Sequence, residues 1–309
     1  MNNYYSYKVL KIWILLSILL IFSMIIVGGL TRLTNSGLSI TEWELFAGIL
    51  PPLNMNQWNK YFELYKQIPQ YKIINNSITM EEFKIIFYWE YFHRLLGRFI
   101  GLFFIIPLIF FTIKRVLNKT LFINFFSIFI LICIQGYIGW YMVSSGLVNN
   151  TTVSHYRLAI HLFIAFIIIS SLYWNYLNIK NNTYKKILHF TKFNYLLKIF
   201  FFLVLLQIVL GAFVSGLDAG TIYQTWPLMN LSYFPDDIRL SSIYNFLDLS
   251  NPSLVQFYHR NLAYIILIYY IFIGLKYLNS KKEKIINKYI IVFLVLLAQV
   301  ALGIFTLIS

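Results

Sequence analysis

Seven stretches of this chain are apolar for long enough to cross a lipid bilayer. They lie near residues 11–30, 86–113, 120–143, 157–178, 196–217, 254–275 and 289–308. About 20 apolar residues cover the roughly 30 Å of hydrocarbon in a bilayer. The pattern therefore predicts an all-α polytopic membrane protein. The polar intervals read as loops, with two exceptions. Thr79-Met80-Glu81-Glu82 has the form of a capping box, so the second spanning helix is expected to start above the membrane and project into an outer loop. Just before it, NMNQWNKYFELYKQIPQY spaces Trp58, Phe62 and Tyr65 along one helical face. That spacing predicts an amphipathic segment covering the site, its aromatics packing rather than touching a cofactor.

The two halves of the chain repeat. Shifted by 183 positions, VGGLTRLTNSGLSITEW falls on LGAFVSGLDAGTIYQTW, pairing Gly28 with Gly211, Asn35 with Asp218, Gly37 with Gly220 and Trp43 with Trp226. Shifted by 166, EYFHRLLG falls on QFYHRNLA, so His93-Arg94 coincides with His259-Arg260. A shift of 164 brings Gln135 and Gly139 onto Gln299 and Gly303. Three matches in one order argue for a duplicated four-helix unit, residues 1–180 and 181–309. The fourth helix of the first unit carries His161. Its counterpart is expected to begin shortly after residue 309, with the matching position near 325, so seven of eight spans are in hand.

Composition supports the class: 59% of residues are hydrophobic, 12% are charged, and the mean hydropathy is +0.69. Soluble domains do not reach such values. A net charge of +14 raises the question of nucleic acid, but its distribution answers it. Fifteen of the 25 basic residues, among them Lys8, Lys114, Lys185, Lys186, Lys192, Lys281 and Lys282, fall on one side when the spans alternate. Ten of the 11 acidic residues, all but Glu283, lie in or beside the opposite loops. The excess of basic residues on one side places the N-terminus in the cytoplasm and excludes a nucleic-acid surface. The first apolar run is long enough to span and is followed by no small-x-small cleavage site, so it does not read as a cleavable signal peptide. Cys133, the one cysteine, sits in mid-span and reads as a packing residue.

The chemistry concentrates in YWEYFHRLLGR, which places Glu90, His93, Arg94 and Arg98 at the head of an apolar run. Ionisable groups inside a membrane are expensive and mark functional sites by default. His93, His161 and His259 each lie one to two turns inside the outer end of an even-numbered span, at one depth. His155 stands at the outer mouth of the fourth span, and His189 lies in a basic loop where it reads as solvated. Four residues after each of the three deep histidines comes a small residue: Gly97, Ala165 and Ala263. Such clearance suits a flat macrocycle against the helix better than a bare metal, and histidines from facing helices are a standard axial pair for haem iron. Arg94, Arg98, Arg157 and Arg260 lie near the outer interface, where they are suited to pairing with porphyrin carboxylates or to snorkelling into headgroups. Glu90 precedes His93 by three residues on the same face, and the second unit has Gln256 there. That asymmetry suggests two sites with unequal roles; an ion pair of Glu90 with Arg94 is the alternative, and the two are compatible.

Together, GGLTRLTNSGLSITEW, EYFHRLLGR, SHYRLAIHL, QTWPLMN, YHRNLAY and ALGIFTL resemble the haem A synthases of the alphaproteobacterial and mitochondrial kind, from about residue 12 to 309. The resemblance implies eight helices in two pseudosymmetric halves in the bacterial inner membrane. It implies oxidation of a methyl group of haem O, the substrate, to a formyl group, in service of cytochrome oxidase assembly. His93 and His161 match the family's ligands in the substrate-haem half, and Glu90 matches the carboxylate beside them, the catalytic candidate. His259 matches one axial ligand of a b haem in the other half, whose partner histidine lies on the eighth helix. The paired loop cysteines of the Gram-positive branch are missing here. The resemblance also brings into view a haem O synthase, an electron donor and a further copy of the chain as partners, besides membrane lipid. A dihaem b-type cytochrome serving quinone and a non-enzymatic haem chaperone are the rival readings. A dihaem cytochrome would need haems on opposite sides of the membrane, and a chaperone would give Glu90 no role.

Overall fold

The computed structural model describes residues 3–42, 47–148, 150–183, 195–238, 247–278 and 283–309. Trp43, His189 and the basic residues Lys185, Lys186, Lys192, Lys281 and Lys282 lie outside them. Among the described residues, seven helices are long and apolar enough to cross a membrane. They are α1 (Asn3–Leu33), α4 (Met80–Ile113), α5 (Lys119–Gly146), α6 (His155–Lys180), α7 (Tyr195–Gly216), α8 (Pro252–Leu278) and α9 (Glu283–Ile308). Two short helices, α2 (Met55–Lys66) and α3 (Pro69–Ile73), precede α4. Every span but α7 outruns the apolar stretch that announces it, because caps and polar flanks extend the helices. Asn118 caps α5 by accepting the Leu121 N–H, and Thr79 caps α4. The capping box at Thr79 is complete: its hydroxyl accepts from Glu82 N–H and the Glu82 carboxylate accepts from Thr79 N–H. With 34 residues, α4 is about 50 Å long at 1.5 Å per residue, well beyond the roughly 30 Å hydrocarbon layer.

The chain forms two compact units, residues 1–189 and 190–309. In the first, α1 packs along α4 and α6, and α5 packs along the same two helices, closing a four-helix ring. Its apolar core is built on Trp13, Phe104, Phe111, Leu121, Phe125 and Leu172. The Trp13 indole spends no polar group in that core, since its Nε1–H donates to the Phe103 carbonyl at 3.1 Å. Asn124 on α5 donates to Asn175 on α6 at 2.9 Å, both fully buried. Cys133 is exposed rather than packed. The buried stripe of α5 runs through Leu121, Asn124, Phe125 and Ile128, and a 3.6-residue period carries that stripe to Gln135, leaving position 133 on another face.

A second cluster covers the outer end of this ring. Trp58, Phe62 and Tyr65 of α2 are all buried against Phe83, Phe87 and Tyr91 of α4, with Leu38 and Ile40 beneath. This is the packing role the spacing predicts. Polar bonds lock the layer: Tyr65 donates to Gln70 at 3.0 Å, and Gln70 donates to the Asn35 carbonyl at 3.1 Å. In the second unit α8 packs against both α7 and α9. Tyr289 of α9 stacks on Tyr270 at 4.7 Å, over Gly274, where an added methyl would collide with the Tyr289 hydroxyl.

The repeat is visible in the backbone. Asn35 and Asp218, paired by the 183-residue shift, both adopt a left-handed conformation with φ of 51°. Asn and Asp tolerate that region better than other non-glycine residues, so each first-to-second-span loop turns at an equivalent point.

Candidate functional site

Glu90 is 2% exposed and all its acceptor positions are engaged. Oε1 accepts from Arg94 Nε at 3.0 Å and Nη2 at 2.5 Å. Oε2 accepts from the Ser39 hydroxyl and the Ile40 N–H, each at 2.8 Å. Arg94 continues the grip, donating to the carbonyls of Ile40 at 2.8 Å and Glu42 at 3.4 Å. A buried ion pair is tolerable only when further hydrogen bonds satisfy both partners, and here the outer loop supplies them. The i,i+4 pair is thus present, and it clamps the loop after α1 onto α4.

The second unit reproduces the clamp with different chemistry. Gln256 donates to the Tyr223 carbonyl at 3.1 Å, and Arg260 donates to the same carbonyl at 2.7 Å and to that of Thr225 at 2.9 Å. Tyr223 follows Ile40 by the same 183 positions. With an amide in place of the carboxylate, Gln256 Oε1 and Arg260 Nε are buried without a hydrogen-bond partner.

The remaining arginines also bind main chain. Arg98 donates to the Gly48 carbonyl at 3.1 Å. Arg157 donates to the Tyr141 carbonyl at 2.7 Å, with its guanidinium 3.6 Å from the Tyr141 ring centre. His155 lies at the first position of α6, its ring 4.1 Å from that of Tyr156.

His93 lies on α4 and His161 on α6, two helices of one ring. Each deep histidine rests against a glycine of the neighbouring helix. A methyl on Gly28 of α1 would lie 3.2 Å from His93 Nε2. One on Gly139 of α5 would lie 3.1 Å from His161 Cε1, and one on Gly211 of α7 would lie 3.2 Å from His259 Cε1. The clearance beside each imidazole therefore comes from across the helix pair, and the space at Gly97 is approached by the Met24 methyl, 3.4 Å from where a Gly97 side chain would start. Gln135 of α5 donates to the His161 carbonyl at 2.9 Å. Gln207 of α7 donates to the His259 carbonyl at 3.1 Å and lies 3.3 Å from its Nε2.

These residues fit a haem. His161 and His259 each have a buried Nδ1 with no protein partner, and the glycine seats leave room that any larger residue would fill. Among the described residues no group of three or more His, Cys, Asp or Glu gathers to hold a bare metal ion. The repeat singled out Gln135, Gly139, Gly28 and Gly211, but their contacts with the histidines follow from helix packing, and Gln207 drew no notice at all.

The architecture and the site define a class: a multi-pass helical membrane protein with intramembrane histidines seated against glycines. Residues 11–309 match the family described as COX15-CtaA, cytochrome oxidase assembly protein, and the chain belongs to that family. It is 50% identical to a protein of Pelagibacter ubique (strain HTCC1062) named Heme A synthase, an alignment covering all of this chain and 90% of that one. It is 41% identical to the Heme A synthase of Rickettsia bellii (strain OSU 85-389), over 97% of this chain and 90% of the relative. For the protein of that name from Nitrosospira multiformis the figures are 43%, 84% and 74%. No solved structure matches the chain at a significant level.

Proposed function

We propose that this protein is a haem A synthase, an oxidoreductase of the bacterial inner membrane that converts the methyl group of haem O to a formyl group. The observation that carries the reading is the pair His93 and His161 on two helices of one ring, with Glu90 one turn from His93. Conversion of a methyl to a formyl group removes four electrons in two successive two-electron steps, through an alcohol and a hydrated aldehyde that loses water; an external electron acceptor takes the electrons, and water or dioxygen supplies the oxygen atom. Bound haem O would supply the iron that the imidazoles of His93 and His161 hold, and a b haem held by His259 in the second unit would supply a route for electrons.

The chain's own groups have three tasks. His93 and His161 fix the plane and depth of the substrate. Glu90, Arg94 and the loop around Ile40 close the outer end and exclude water. Glu90 also places a fixed negative charge one turn from His93, where it favours positive charge developing on the substrate. Four hydrogen bonds, from Arg94, Ser39 and Ile40, hold that carboxylate in place. Arg98, Arg157 and Arg260 are the groups placed for substrate or cofactor carboxylates. The basic segments put the N-terminus in the cytoplasm and the clamp loops outside.

The test is expression beside a source of haem O, followed by extraction and pigment analysis. Formyl haem that disappears with His93→Ala or His161→Ala supports the reading. Folded protein carrying haem O but never forming the formyl product would overturn it.

A further inference from the structure

We propose that a glutamine and a glycine one turn apart form the positioning device for each haem histidine, and that its incomplete copy leaves His93 the least constrained of the three. The inference rests on the haem-oxidising reading and names residues beyond the ligands. Gln135 and Gly139 on α5 serve His161; Gln207 and Gly211 on α7 serve His259. Both pairs have the spacing Gln-x3-Gly, which recurs at Gln299 and Gly303 of α9, both exposed. On α1 the corresponding pair is Met24 and Gly28, with a thioether where the amide would be.

The two members fix different coordinates. A helical carbonyl already accepts the N–H four residues on, and its second lone pair is open. The Gln135 amide takes that position on His161, tying the peptide of the ligand itself to the neighbouring helix. A small residue at i+4, Ala165 or Ala263, leaves the carbonyl approachable, which gives the histidine-small regularity a second cause. The glycine then sets the stand-off: with a methyl at 3.1–3.2 Å from the ring, the imidazole would have to retreat by a few tenths of an ångström. No water is at hand in the bilayer to replace a lost amide bond. Around His93 the glycine is present and the amide is absent, so the stand-off is set while the peptide is tied only by its own helix. That difference falls in the unit that holds Glu90.

The experiment uses haem-loaded full-length protein and two readouts other than turnover. One is the rate of haem transfer to excess apomyoglobin. The other is the low-spin electron paramagnetic signal of the ferric form, which reports imidazole orientation. Gln135→Leu should speed haem loss about fivefold, the effect of one hydrogen bond. Gly139→Ala should shift the low-spin signal. Met24→Gln, which supplies the absent amide, should slow haem loss. Gly136→Ala is the control, since nothing lies within 4 Å of a methyl there. Wild-type protein that holds no haem would sink the haem reading as a whole. Wild-type protein that holds haem, with Gln135→Leu and Gly139→Ala indistinguishable from Gly136→Ala, would sink this proposal alone. Should Gly139→Ala fail to fold, Gln135→Leu and Met24→Gln still decide the glutamine half, and Gly211→Ala decides the glycine half.

Discussion

The Glu90 carboxylate receives the backbone N–H of Ile40 at 2.8 Å, and through that bond the loop after the first span is held against the second. Glu90→Gln keeps the shape but sets an NH2 group against either Arg94 or the Ser39 and Ile40 donors. Removing one partner of a buried ion pair costs about 3–5 kcal/mol. The variant should therefore unfold at lower temperature in detergent, and its outer loop should exchange amide protons faster. Unchanged unfolding would show the clamp to be energetically idle.

The reverse replacement in the second unit is expected to harm it as well. Gln256→Glu offers Arg260 Nε the partner it lacks, yet it turns a carboxylate towards the Tyr223 carbonyl, where the amide now donates at 3.1 Å. Two acceptors without a proton between them repel, so unfolding should move down. A gain in stability would refute the assigned orientation of the Gln256 amide.

Asn124 and Asn175 form a buried polar link between α5 and α6. Asn175→Leu takes the Oδ1 acceptor away from the Asn124 amide in an apolar setting, a loss of about 1–2 kcal/mol. Replacing both with leucine should recover much of it, and a double-mutant comparison of unfolding checks the coupling.

Tyr223 lies in the second outer loop, where burial first and then hydrogen bonds to Asp236 and Asp237 hold its phenol above the usual tyrosine value. A group whose proton is held more tightly in the folded state stabilises that state fully below its unfolded value, near pH 10. The contribution is lost as pH rises through the folded value. Tyr223→Phe should thus be less stable than the parent by a constant margin between pH 6 and 9, and the gap should close in stronger alkali. A margin that does not change with alkali would refute this.

Thr79→Ala removes half of the capping box at the outer end of α4. The expected loss is about 1 kcal/mol, confined to the first turns, and amide exchange at Glu82, whose N–H loses its acceptor, reports it.

Spans, capping box and canopy aromatics were legible because each rests on a local pattern: an apolar run, Thr79 with Glu82, or Trp58, Phe62 and Tyr65 on one face. His93, His161 and His259 stood out because ionisable groups in apolar runs are rare. Partnerships across helices were not legible in the same way. Ser39 and Ile40 meet Glu90 only because the chain turns at Asn35, and nothing in their own residue types announces it. Gly28 drew notice as a repeat match, but its contact with His93 follows from the packing of α1 on α4. Cys133 was misread since a mid-span position does not say which face of the helix it occupies.

The length of α4 makes one rod of two distant parts. Phe83 and Phe87, beneath the aromatic canopy, and His93, deeper in the same helix, share an unbroken backbone. Any tilt of that rod at the canopy is shared by the imidazole about two to three turns below. The canopy and His93 thus behave as the two arms of a lever.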